Sequence, residues 1–228
     1  MEVKEDVTEI KNKIVCDTFN NIIGSDNLNV EIKDKKMTIW SLDEPQISML
    51  THTIDNIELD DDIFHIKKKD LGNVLYNPMI IKKYKMDEGK PLRRFEFKSE
   101  PKIIGFNSYD LKRIIKTKTL MVTYIVMEVQ DNIFRIVSKN KEFGFNSVDS
   151  FRRDCEDSFI KMEIENASDD VVCTGVGLEF ITNFLKPYLK RHEMDIIIEL
   201  RHDMPCVFRN DKLNLKYIIA PRRCEDED

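Results

Sequence analysis

The sequence predicts an α+β fold of two similar domains, each an antiparallel sheet with helices on one face. Three observations carry that prediction. A strand–helix–hairpin order recurs four times along 228 residues. Apolar and polar residues alternate in the strand-like runs, as in Ile196-Ile197-Ile198-Glu199-Leu200, which fits antiparallel strands covered on one side. Four helical stretches (8–23, 67–77, 107–118 and 178–191) together carry +7 in a chain of net charge −6, which leaves −13 for everything else. Charges of opposite sign on different elements end on different surfaces. A surface built from the helices suits a polyanion, and the rest repels one. The competing reading is that amphipathic helices simply keep their basic residues in water.

Each element follows from local pattern. A short leading strand over 2–7 precedes Ile10, Ile14, Phe19, Ile22 and Ile23, which recur at helical spacing and stop at Gly24-Ser25. Strands over 28–33 and 37–42 flank the turn residues 34–36. A third strand spans 46–54, and the acidic run 55–62 is a loop or edge. The second copy has a strand at 63–66, a helix at 67–77 stopped by Pro78, and a hairpin of 79–86 with 91–97. In the third, strand 102–106 leads to helix 107–117 and a hairpin of 120–129 with 132–138, turning at Asp131. Leu111, Ile114 and Ile115 make that helix's buried stripe, Lys112, Arg113 and Lys116 take the remaining surface, and Asn107 or Ser108 caps it. Strands at 143–147 and 159–165 follow. The fourth copy is strand 171–176, helix 178–190 and a hairpin of 193–201 with 204–210, closed by strand 213–220. The resulting domains are 1–98 and 102–228, joined by a very short connector at 99–101. Repetition of this kind implies related subdomains that each pack a helix on a sheet.

Bulk composition narrows the class. A chain with 41% hydrophobic and 34% charged residues is globular, and no apolar run is long enough to cross a bilayer. The first residues lack the apolar core of a signal peptide, so a reducing interior is expected. Cys16, Cys155, Cys173, Cys206 and Cys224 are odd in number and form no CxxC pair, so neither a disulfide framework nor zinc is implied. Cys173 and Cys206, in apolar runs, read as buried free thiols. Asp60-Asp61-Asp62 reads as a solvated loop rather than a metal site, because neighbouring loop carboxylates diverge. His52, His65, His192 and His202 show no ligand spacing. Gly175-Val176-Gly177 lacks the further glycine and lysine of a phosphate loop and reads as tight strand-to-helix packing. Trp40 reads as buried. No nucleophile, base and orienting group assemble, so no enzymatic activity, cofactor or metal is expected.

The C-terminal third carries a family resemblance. Asp203-Met204-Pro205-Cys206-Val207-Phe208, then Leu215-Lys216-Tyr217-Ile218-Ile219-Ala220-Pro221 and an acidic tail, resemble the end of the proliferating cell nuclear antigen (PCNA) family, the eukaryotic sliding clamps. The helix LEFITNFLKPYLK (178–190) is similar to that family's last helix, with Lys186 at a basic position. Trp40-Ser41-Leu42-Asp43-Glu44-Pro45-Gln46-Ile47-Ser48-Met49 is similar to a segment near the family's N-terminus. Helix 107–117 resembles the first helix of its second domain, with Arg113 and Lys116 on matching basic positions.

The resemblance implies a DNA-clamp (processivity-fold) architecture in which three subunits form a ring, a homotrimer in the replication clamp, with helices lining a central hole. Double-stranded DNA passes through, and the clamp tethers DNA polymerase, repair factors and other clamp-binding-peptide proteins after a clamp loader has placed it. A nuclear location and no membrane contact follow for such a processivity factor in DNA replication. By position, Lys13, Arg113, Lys116 and Lys186 face the hole, and helix geometry adds Lys67, Lys68, Lys69, Lys112 and Lys190. Contacts from Lys and Arg to phosphates carry no sequence information, so such a ring slides. Leu42, Gln46, Ile47, Pro205, Ile218, Ala220 and Pro221 stand at the partner-peptide surface, where ordinary packing at a hairpin base is the competing reading. Asn20, Asn73 and Tyr76 stand where the family has lysines, so the first domain's lining is weakly charged. The family's additional edge strand and long interdomain connector are missing or much shortened between 91–97 and 102. Two further readings therefore stay open: a subunit of the heterotrimeric DNA-damage checkpoint clamp, and a monomeric clamp-like scaffold for interaction or transcription.

Overall fold

The computed structural model describes residues 7–43, 48–86, 97, 99–118, 122–140, 145–152, 162–165, 170–188, 194–202 and 204–222. The chain divides into two compact units, Met1–Glu96 with Lys212–Lys216, and Phe97–Asp211 with Tyr217–Asp228. The return of Lys212–Lys216 to the first unit is not anticipated by dividing the chain into consecutive blocks.

In the first unit, α1 (Val7–Ile22) buries Ile14, Val15, Thr18 and Phe19. β1 (Asn27–Lys33) and β2 (Lys36–Leu42) pair around Asp34 and Lys35, whose φ values of 51° and 60° are the left-handed pair that a two-residue hairpin demands. β3 (Ser48–Ile54) and β4 (Asp62–Lys67) complete an antiparallel sheet in the order β4-β1-β2-β3. Trp40 is buried in β2, as its strand-like setting predicts. The returning segment runs beside β3, where the Thr53 N–H donates to the Asn214 carbonyl at 3.1 Å and the Thr51 hydroxyl to the Lys216 carbonyl at 3.2 Å.

Two expectations for this unit need correction. The helix expected over 67–77 is a 3-10 turn, Lys68–Asp70, followed by the short helix α2 (Leu71–Tyr76). The strand expected over 79–86 is instead a 3-10 helix, Pro78–Tyr84. The Asn77 side chain accepts from the Met79 N–H at 3.2 Å and Pro78 starts the turn with no N–H to satisfy. Pro78, Ile81 and Tyr84 then recur every third residue on the less exposed side, the 3-10 period rather than the strand period of two. Among the described residues of this stretch, Met86 joins the sheet, through a bridge to His65. The remainder of the expected hairpin, 87–96, and the leading strand up to residue 6 lie outside the described residues, while Val7 is helical.

The second unit holds two sheets. β5 (Lys102–Asn107), β9 (Met162–Glu165), β11 (Asp195–Leu200) and β12 (Cys206–Asn210) form one, in the order β12-β11-β5-β9. β6 (Tyr124–Gln130), β7 (Ile133–Asn140), β8 (Phe145–Arg152) and β10 (Val172–Gly177) form the other, in the order β10-β6-β7-β8. Phe106 of β5 meets Phe134 of β7 and Phe151 of β8 at 5.4 and 5.6 Å, so aromatic rings join the two sheets. α3 (Ser108–Lys118) and α4 (Leu178–Leu185) lie side by side. Phe184 of α4 stacks on Tyr217 at 5.5 Å and packs on Phe208 at 6.1 Å. Each such fully buried side chain contributes about 1.5–3 kcal/mol of transfer free energy. Tyr217 belongs to β13 (Leu215–Ile219), whose first two residues fall in the first unit and last three in the second.

The two glycines before α4 have different causes. A Cβ at Gly177 would lie 2.9 Å from the Phe180 ring, which is tight strand-to-helix packing as expected. A Cβ at Gly175 would lie 2.8 Å from the carbonyl oxygen of Arg222, because residues after β13 bridge to β10 there. The Arg222 N–H donates to the Gly175 carbonyl at 2.9 Å.

Candidate nucleic-acid interface

The cations expected on the helices fall into two groups. Lys13 on α1, Lys69, Arg113 and Lys116 on α3, and Lys186 just past α4 are exposed. Arg113 keeps 58% of its side chain in solvent with Asp110 at 3.8 Å, one helical turn back. Opposite Leu111, Ile114 and Ile115, all buried, amphipathic packing leaves Arg113 and Lys116 no direction but outward. Asn107 caps the helix, its Oδ1 accepting from the Tyr109 N–H at 2.9 Å.

Three other lysines are tied down. Lys67 Nζ donates to Asn27 Oδ1 at 2.9 Å. Lys68 Nζ donates to the Ile23 carbonyl at 2.6 Å, just past the end of α1. Lys112 Nζ donates to the carbonyls of Lys186 and Tyr188, both at 2.8 Å, at the end of α4. Carbonyls at a helix C-terminus have no partner within the helix and carry its negative pole, so an ammonium there satisfies both. Burial, and then the neighbouring Lys116, hold the Lys112 pKa below its ordinary value. A lysine fastening a helix end has its charge largely spent on carbonyls. Lys190 lies outside the described residues.

Lys118 was counted in the helix charge and is nonetheless buried, its Nζ donating to Ser147 Oγ at 2.7 Å and pairing with Asp149 of β8. Its position was readable. Residues 111, 115 and 118 share one stripe at i, i+4 and i+7, so the apolar face carries Lys118 inward. Nothing in the sequence marks Lys68 or Lys112 as helix-end donors, because the carbonyls they meet are remote along the chain.

The expected partner-peptide residues are divided between the units. Leu42 is half-buried at the end of β2 in the first unit. Pro205, Ala220 and Pro221 are half-buried and Ile218 is buried in the second. Gln46 and Ile47 lie outside the described residues. The residues bracketing them are clasped: Asp43 Oδ1 accepts from the Ser48 N–H at 3.0 Å and Oδ2 from the Ser48 hydroxyl at 2.9 Å, both residues buried.

Asp60 and Asp61 are exposed, as expected of a solvated loop, and Asp62 is half-buried. Lys85 Nζ lies 3.0 Å from Asp62 and Lys82 Nζ 3.7 Å from Asp60, and the hydrogen bond from Lys85 holds the Asp62 carboxyl below its usual range. Among the described residues no group of three His, Cys, Asp or Glu side chains is placed to hold a metal. Cys206 is buried, as expected, whereas Cys173 is half-buried. His52 is buried beside the returning segment, with Nδ1 hydrogen-bonded to the Leu213 carbonyl at 2.9 Å. Burial pushes its pKa down to about 4, so the ring is neutral at pH 7.

Among solved structures the chain is similar to a PCNA from Thermococcus kodakaraensis, with a TM-score of 0.72 over 95% of this chain and 98% of that one, at 11% sequence identity. The fold is therefore α+β and clamp-like, as the sequence predicts. No protein-family model matches the chain, and no curated protein matches it.

Proposed function

We propose that the chain is a non-enzymatic sliding-clamp subunit that encircles duplex DNA and tethers a polymerase and other factors to it. The observation that carries this reading is the exposed set Lys13, Lys69, Arg113, Lys116 and Lys186 on or beside the helices of a clamp-like fold, in a chain that sums to −13 outside its helical stretches. Cations on mobile side chains attract phosphates without reading bases, so the duplex stays bound while it slides. The reaction chemistry belongs to the tethered partners, and the clamp supplies topology and docking.

Duplex binding measured across a salt series tests the electrostatic half. Replacing Arg113 and Lys116 together with alanine lowers the slope of log affinity against log salt by about 0.9 per lost phosphate contact. An unchanged slope removes these residues from the interface.

A second reading is a monomeric clamp-like scaffold. It is favoured by the first unit, whose helices expose the uncharged Asn20, Asn73 and Tyr76, a weak lining for a polyanion. Sedimentation equilibrium at several protein concentrations separates the readings: a closed oligomer supports the clamp, and a monomer throughout supports the scaffold.

A further inference from the structure

The ladder between β5 and β11 ends at the pair Lys102–Leu200, because the next residue back, Pro101, has no N–H to give it. Past that point a side chain takes over from the backbone. Arg201, the residue after β11, is 8% exposed, and its Nε donates to the Ser99 carbonyl at 2.9 Å. Its guanidinium lies 4.1 Å from the centre of the Phe97 ring, a close cation–π contact. Nη2 donates to Glu199 at 3.2 Å, and Glu199, itself buried, also accepts from Arg209 Nε at 2.9 Å. One carboxylate therefore serves two guanidinium groups. The remaining nitrogen of Arg201, Nη1, is buried and has no hydrogen-bond partner among the described residues. A guanidinium carries five donors in a rigid fork, so a buried nitrogen left unpaired works against the closed arrangement, and water satisfies it once the segment lifts. With Ser99 and Glu100 exposed and Phe97 half-buried, lifting it uncovers little apolar surface.

We propose that Phe97 and residues 99–101 form a strap, latched by Arg201, that opens by itself while the rest of the second unit stays folded. The chain leading into that unit is then a catch with two positions rather than slack linker. The strap makes no use of DNA and stands apart from the clamp reading above.

The test is limited chymotrypsin digestion of the whole protein, with the products weighed by mass spectrometry. Cutting after Phe97 needs its ring to leave Arg201 and enter the protease, and it yields fragments 1–97 and 98–228. Cutting after the exposed Tyr76 in the first unit is the internal control. When opening is fast relative to cleavage, the rate follows the open population. In the wild type the Phe97 cut is expected to keep one rate through low urea, since a small opening has a small urea dependence. Arg201→Met is expected to speed that cut about tenfold, the loss of one bond from a charged donor, with the Tyr76 cut unchanged. Arg201→Lys, which keeps the charge without the fork, is expected to fall between the two. A Phe97 cut as slow in both variants as in the wild type overturns the latch. A wild-type cut that accelerates with urea in step with global unfolding overturns local opening. Both cuts rising together in Arg201→Met, with a lowered urea midpoint, also overturn the latch, because Arg201 then only stabilises the fold.

Discussion

The two units meet the same problem with the same device and then part company. In each, a lysine reaches across to the open carbonyl end of a neighbouring helix: Lys68 to Ile23 beyond α1, Lys112 to Lys186 and Tyr188 beyond α4. Each helix pair is thereby held at one end by a charge-assisted bond. What remains outward differs. The second unit presents Arg113, Lys116 and Lys186, whereas the first presents Lys13, Lys69, Asn20, Asn73 and Tyr76. Counting basic residues along a helix therefore overstates its reach toward a polyanion. Some of that charge stabilises the fold, and only the part left in solvent is available to a partner.

The largest expected effect bears on the second unit's core. Phe184 stacks on Tyr217 and touches Phe208 and Tyr188. Phe184→Ala should cost about 3–5 kcal/mol in urea denaturation, from lost transfer energy and the cavity left behind. A loss below about 1 kcal/mol would mean that α4 is not anchored by this cluster.

The next bears on the first unit and on pH. His52 is neutral when folded, with its pKa depressed to about 4, against about 6.5 when unfolded. Between those values the unfolded chain binds the extra proton. The contribution of the buried neutral ring is complete above about pH 6.5 and is lost as pH falls toward 4, at up to about 1.4 kcal/mol per pH unit. Urea midpoints measured from pH 7 to 4.5 should fall less steeply in His52→Leu than in the wild type. Parallel curves would contradict the burial of the ring.

The shared device is tested next. Lys112→Met removes two bonds to carbonyls and should cost about 2 kcal/mol, whereas Lys68→Met removes one and should cost about 1 kcal/mol. Equal or reversed losses in thermal or urea unfolding would break the comparison. The smallest effect is expected at the exposed pair Lys85–Asp62, where Lys85→Ala should change stability by less than about 1 kcal/mol.

Much of the fold was legible because strand and helix periods are local. β1, β2, β7, α1 and α3 fall within a residue or two of where alternation or helical spacing puts them, and Asp131 turns at φ 51° as its place between two strands requires. The stretch 79–86 was not legible. Its apolar residues suit a strand, but Asn77 and Pro78 impose a turn that propagates as a 3-10 helix. At the candidate interface, Arg113 and Lys116 could be read from the apolar stripe they oppose. The burial of Lys118 could have been read from that same stripe. The fastening of Lys68 and Lys112 could not, since only tertiary packing brings a distant helix end to them.

The central claim is topological. Protein loaded onto a nicked circular duplex and isolated on it should survive a salt wash that removes ions from phosphates, then be released when one restriction cut linearises the circle. Equal retention on the circle and on the cut molecule would contradict encirclement and leave an ordinary DNA-binding protein.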